Sequence, residues 1–205
     1  MGSGFFATRD IAAGTIILLD TWLLCLPLNR EKWSGSFELF ADAYYSAPSS
    51  IASLIDDAAP HPTNFEDLRP MLMAQADKWL ERKFRRPVCQ RDYWLPLAEK
   101  IVRAYCTFKN NACEVSDTPE EAFYPTYSRF NHSCDPNIGW SFEGEPDYLI
   151  RIYAMRDVKA GEQLFISYTD HLSNRQSPLP LESRQKLTQR NWGFTCACSR
   201  CIAEE

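Results

Sequence analysis

The sequence predicts an α+β fold, with short strands and turns on either side of a helical block. Three observations predict it. Between residues 29 and 107, apolar residues recur at roughly helical spacing. On either side, residues 1–28 and 108–173 read as short strands broken by turns. The tail, 174–205, joins a helix candidate to a knot of cysteines. These boundaries divide the chain into an N-terminal part of the β-fold, a helical insertion, a C-terminal part and a cysteine-bearing end.

Composition bounds the reading. A chain of 205 residues is one large domain, or one domain with an insertion. Apolar residues at 45% and charged residues at 24% fit a globular protein with a sizeable core. A net charge of -5 argues against bulk electrostatic binding of nucleic acid and suits a basic peptide better. No apolar run reaches membrane-spanning length, since Asp20, Thr21 and Pro27 interrupt the stretch from Ile16 to Leu28. No basic segment followed by an apolar one marks a leader after Met1. The expected setting is the nucleus or the cytoplasm. There the eight cysteines read as metal ligands and buried thiols rather than as a disulfide frame.

Each element follows in order. Gly2-Ser3-Gly4 permits a close backbone approach. Thr15–Leu19 is rich in β-branched and apolar residues and predicts a strand, with a second over Trp22–Leu26. Phe37, Leu39, Phe40, Tyr44 and Tyr45 predict a helix, and Ala52–Ala58 a short one. Ala59–Asn64 is a proline-punctuated loop. Leu72–Phe84 and Tyr93–Tyr105 predict longer helices, the second with Leu97, Ile101, Val102 and Tyr105 on one face. The basic cluster Lys78, Arg82, Lys83, Arg85 and Arg86 reads as a solvated helix face. Leu149–Met155 predicts a strand, Asp157–Glu162 a turn and Gln163–Tyr168 a short strand ending in a phenol. Pro180 suits a helix start, and Leu181–Gln189 has good helix formers.

The ten residues from Ser128 to Asn137 stand apart. They hold two amides, an imidazole, a thiol and two hydroxyls. Asn, Asp and Pro disfavour strand interiors, so a polar loop is expected, held by Tyr127, Phe130, Ile138 and Trp140.

Cys196-Ala197-Cys198-Ser199-Arg200-Cys201 sets three thiols within six residues, which fits one tetrahedral Zn²⁺. A closed site needs a fourth ligand, and none follows Cys201. Cys25, Cys89, Cys106, Cys113, Cys134 or a histidine could supply it. Cys134, in the polar loop, is the economical choice.

Four pieces now stand in order: Gly2-Ser3-Gly4; Asn131-His132-Ser133-Cys134-Asp135-Pro136-Asn137; Gly161-Glu162-Gln163-Leu164-Phe165-Ile166-Ser167-Tyr168; and the three C-terminal cysteines. In combination they resemble a SET domain with a post-SET cysteine motif. Within that family the chain is similar to the SET and MYND domain proteins and their fungal SET-only relatives. Phe108–Cys113 and Glu182–Leu187 resemble further elements of that subgroup. The paired cysteines of a MYND finger are missing, since residues 29–107 hold only Cys89 and Cys106. The long helical region typical of the subgroup does not lie within these 205 residues.

The resemblance implies short strands in several small sheets, a pseudoknot-like threading of the C-terminal part and a post-SET zinc site. It implies transfer of a methyl group from S-adenosylmethionine to a lysine of a histone or another protein, by a monomer that touches neither membrane nor nucleic acid. Tyr168 would be the catalytic tyrosine. Ser3, Gly4, Phe5, Asn111, Ser128, Asn131, His132, Tyr168 and Phe194 would meet the cofactor, and Trp192 would wall the lysine channel. Cys134, Cys196, Cys198 and Cys201 would hold zinc. The alternative is a catalytically weak scaffold that binds cofactor or peptide.

Overall fold

The structure is a computed structural model that describes residues 4–27, 36–58, 64–85, 91–115, 119–144, 148–169 and 179–205. The chain forms two compact units. One comprises residues 1–22 and 124–205, the other residues 23–123.

The first unit is built on small sheets. Strand β1 (Ile16–Asp20) pairs antiparallel with β7 (Leu149–Ala154), which pairs antiparallel with β6 (Ile138–Glu143). In β7 every second residue is buried. Ile150, Ile152 and Ala154 enter the core, as the alternation in the sequence predicts. The N-terminal segment runs antiparallel to the 158–164 stretch, through bridges between Phe6 and Gln163 and between Ile11 and Val158.

The polar stretch is not wholly a loop. Asn131–His132 forms a two-residue strand, β5, parallel to β8 (Phe165–Ile166). The expectation of a loop is corrected here, because tertiary pairing overrides the low strand propensity of Asn. The strand expected over Gln163–Tyr168 shrinks to its middle pair, Phe165–Ile166. Two features limit it. Gln163 bridges to Phe6 instead, and Tyr168 gives its backbone N–H to a histidine ring.

Helix α5 (Leu181–Trp192) begins after Pro180 and ends at Gly193, whose φ of 73° is left-handed. The Gly193 N–H returns to Gln189, so the chain turns sharply before Phe194. Helix α6 (Ser199–Ala203) closes the described chain.

The second unit is mainly helical: α1 (Phe37–Ser46), α2 (Ser49–Asp56), α3 (Asn64–Phe84) and α4 (Arg91–Asn111). Phe37, Phe40, Ala41 and Tyr44 are buried at positions i, i+3, i+4 and i+7 of α1, and Ile101, Val102, Tyr105 and Phe108 line α4. Two helices exceed their expected spans. α3 starts at Asn64 rather than Leu72 and contains Pro70; α4 runs to Asn111 rather than Tyr105 and contains Pro96. Each proline lies past the first turn of its helix and removes one intrahelical hydrogen bond. A small sheet of order β2-β4-β3 completes the unit, from Leu24–Pro27, Glu120–Phe123 and Cys113–Glu114. The basic face of α3 is paired with α1: Arg82 with Glu38, and Lys83 with Asp42. Cys106 and Cys113 are buried thiols as expected. Cys25 is only half-buried, since it sits in β2, and Cys89 lies outside the described residues. Among the described residues, no helix is long and apolar enough to cross a membrane.

Candidate active site and cysteine cluster

Tyr168 is the hub of the site in the first unit. Its hydroxyl donates to the Phe130 carbonyl at 2.6 Å. Its backbone N–H donates to His132 Nδ1 at 2.9 Å. Its ring lies 5.1 Å from the His132 ring, 5.1 Å from Trp192 and 6.4 Å from Phe194. Burial pushes the phenol up to about 12, so Tyr168 keeps its proton at neutral pH. It is an O–H donor here, not a base.

His132 is committed on both sides. Nδ1 accepts from Tyr168, so the ring hydrogen of the neutral imidazole sits on Nε2. Nε2 lies 3.3 Å from Cys134 Sγ, a donor–sulfur contact. Neither nitrogen is left for general-base work.

Gly4 faces the Asn131 carboxamide. A Cβ on Gly4 would lie 2.5 Å from Asn131 Nδ2 and 2.3 Å from Gln163 Nε2. Only a residue without a side chain lets the three groups meet. Among the described residues, the Asn131 amide takes no side-chain hydrogen bond, so it remains available to a ligand. Phe5 packs on Phe130 with ring centroids 4.8 Å apart, beneath the carbonyl that receives the Tyr168 hydroxyl. Phe194 lies 5.9 Å from the His132 ring.

The structure therefore brings together Gly4, Phe5, Asn131, His132, Tyr168, Trp192 and Phe194. Ser3 lies outside the described residues. Ser128 sits on the 3-10 turn Tyr127–Arg129, and its hydroxyl donates to Pro125 O at 3.3 Å. Asn111 belongs to the second unit, where its amide donates to Thr107 O at 2.8 Å.

Three contributors escaped the sequence reading. The Phe130 carbonyl is a backbone group with no residue-type signal. Gln163 was visible only as part of a motif. Asn137, 1% exposed, donates to Gln163 O at 2.8 Å and accepts from Phe165 N at 2.8 Å. It locks the approach to Tyr168. Its place in the polar motif was a signal; its partners were not.

The cysteines converge as expected. Sγ atoms of Cys134, Cys196, Cys198 and Cys201 all lie within 4.8 Å of one another. Cys134 is 3.7 Å from Cys196 and 3.6 Å from Cys201. A tetrahedron with metal–sulfur bonds of about 2.3 Å has edges of about 3.8 Å, so the spacing fits a four-thiolate metal site. The four are free thiols, and Cys134, Cys196 and Cys201 are buried. The Cys134 thiol holds the Cys196 thiol well below its ordinary range, while that same bond, with burial, pushes Cys134 up.

Comparison with known proteins now decides the family. The SET domain model matches residues 2–169. The chain belongs to the SET domain family. It is 29% identical over 205 residues to a SET domain-containing protein of Acanthamoeba polyphaga mimivirus, covering 100% of this chain and 75% of that one. It is 30% identical over 182 residues to the histone-lysine N-methyltransferase SMYD3 of Mus musculus, covering 87% of this chain and 37% of that protein. The chain thus spans only about a third of the mouse relative's length. The SET domain of LSMT, solved with lysine and AdoHcy, shares the fold at a TM-score of 0.54 and 14% identity. That match covers 94% of this chain and 50% of the other.

Proposed function

We propose that the chain is a protein-lysine N-methyltransferase that uses S-adenosylmethionine, with Tyr168 at the reacting atoms. The observation that carries this reading is the meeting of Gly4, Asn131, His132, Phe194 and Tyr168 in a SET domain chain. The names of relatives agree with it: SMYD3 is named a histone-lysine N-methyltransferase, and the LSMT SET domain was solved with lysine and AdoHcy.

The residues fit the cofactor. The bare backbone at Gly4 and the unengaged Asn131 amide offer polar recognition, and Phe194 offers an aromatic face. When bound, S-adenosylmethionine would supply an electrophilic methyl group on its sulfonium. The target lysine must be neutral to attack, yet its ordinary pKa is about 10.4. The aromatic surroundings of Tyr168 and Trp192 disfavour the ammonium form. The protonated phenol, anchored on the Phe130 carbonyl, presents a fixed oxygen. Alignment of donor and acceptor supplies most of the rate, up to about 7–11 kcal/mol.

Zinc in the four-cysteine cluster is part of the proposal. It would tie the segment around Phe194 to the strand that carries His132. The substrate we propose is a lysine on a protein or peptide, histones included; the net charge of -5 suits a basic partner. The reaction would take place in the nucleus or cytoplasm.

The test is transfer of tritiated methyl from S-adenosylmethionine to histones and to cell extract. Wild type is expected to label protein lysines. Tyr168→Phe should lower labelling by about 100-fold or more while circular dichroism stays unchanged. Wild type that binds S-adenosylmethionine by calorimetry but labels nothing would replace this reading with a binding scaffold.

A further inference from the structure

A four-thiolate site around a divalent ion carries two net negative charges. Here the sulfurs of Cys134 and Cys201 are 0% exposed and Cys196 is 3% exposed, so water does little to screen them. A buried anion of this kind is costly unless a counter-charge accompanies it. Among the described residues, Arg200 Nη1 lies 3.4 Å from the Cys134 carbonyl but its side chain is 20% exposed; Arg184 is the fully buried cation beside the cluster.

Arg184 on α5 is 0% exposed, the largest fully buried side chain among the described residues. A lone buried guanidinium is itself costly. Its Nη2 lies 3.8 Å from Cys201 Sγ and 2.7 Å from Glu204 Oε2, and its Nη1 donates to Leu179 O at 2.6 Å. Glu204 is shared: Arg200 Nε donates to its other oxygen at 2.8 Å. Arg184 is thus not fully neutralised by Glu204. Its Nε is buried with no protein acceptor among the described residues. Neither the lysine chemistry nor the tertiary pairing of strands needs a charge at this place.

We propose that Arg184 is the charge-balancing partner of the metal site, and that it raises metal affinity by neutralising the thiolate cluster through Cys201. The proposal rests on the metal reading above. It goes further by assigning the role to a residue outside the ligand set. A structural role through Glu204 alone makes a different prediction: removing Glu204 would then do as much harm as removing Arg184.

The full chain is titrated with Co²⁺, whose thiolate absorption bands report tetrahedral sulfur coordination, and with Zn²⁺ against a chelator. Arg184→Met should weaken affinity about 10–100-fold, the usual cost of losing an outer partner of a metal site. Arg184→Lys, which keeps the charge but not the fork, should fall between Met and wild type. Glu204→Gln should bind as tightly as wild type. Equal affinity of Arg184→Met and wild type overturns the proposal. So does an equal loss in Glu204→Gln. If Arg184→Met does not fold, the comparison of Arg184→Lys with Glu204→Gln decides in the same way. Absence of thiolate bands in wild type overturns the metal reading and this inference with it; bands in wild type that are unchanged in the variants overturn this inference alone.

Discussion

At Tyr168, a single residue makes two hydrogen bonds, one from its backbone and one from its side chain. The backbone N–H orients the residue through His132, and the hydroxyl is fixed on Phe130. Tyr168→Phe removes the second bond only. The stability loss on denaturant unfolding should be about 1 kcal/mol, small beside the loss of methyl transfer. Gly4 makes the complementary case. The atoms that its missing Cβ would meet are the ends of the Asn131 and Gln163 side chains, which can swing aside. Gly4→Ala should therefore leave the melting temperature nearly unchanged, yet weaken S-adenosylmethionine binding by about tenfold or more in calorimetry. A large drop in stability with intact binding would show that Gly4 serves the fold instead. Both residues were read as site positions from the motifs alone. The hydroxyl's partner was not, because any residue supplies a backbone carbonyl.

The turn before β8 shows how a small element is held. Glu162 accepts from Arg156, from the Lys159 backbone N–H and from the Asn137 amide. The Arg156 guanidinium, more than the other two donors, holds its carboxyl below the ordinary value of 4.5. The sign follows. A carboxyl with a lowered folded-state pKa stabilises fully above its unfolded value, and loses that contribution as pH falls through the folded value. Denaturant unfolding followed from pH 7 down to pH 3 should show wild type losing stability faster below about pH 4.5 than Glu162→Gln. Parallel curves would mean the turn stands without this charge. Gly161, with φ of 85°, completes the turn in a conformation that side chains resist. The turn was legible from Asp157 to Glu162, because glycine and Asp mark turns strongly. The shortness of β8 was not, because strand ends depend on which partner is in reach.

On the scale of the molecule, the site joins distant parts of the chain. Gly4, Phe130 to Cys134, Tyr168 and Trp192 to Cys201 meet in one unit, and the Cys134–Cys196 contact alone closes a loop of 62 residues. Long loops close at an entropic cost that the metal offsets once it is bound. Chelation should therefore lower the melting temperature and abolish methyl transfer together, and Zn²⁺ should restore both. Loss of metal with full activity and unchanged melting would separate the cluster from the site.

The sequence by itself determined the kinds of chemistry present. Three closely spaced thiols, a polar stretch inside an apolar frame and a phenol at a strand end carry their meaning in residue type and spacing, because soft ligands and short turns are local. It also determined the helical block, because α1 and α4 repeat their apolar residues at 3.6-residue period. Among several candidates the sequence favoured Cys134 as the fourth sulfur, and the tertiary structure selects it; only the tertiary structure decided that Asn131–His132 pairs in parallel with Phe165–Ile166 and that Arg184 is buried against Cys201. Each of these joins residues far apart in the chain. Such contacts depend on which surfaces the whole fold brings within reach, and no local pattern encodes that.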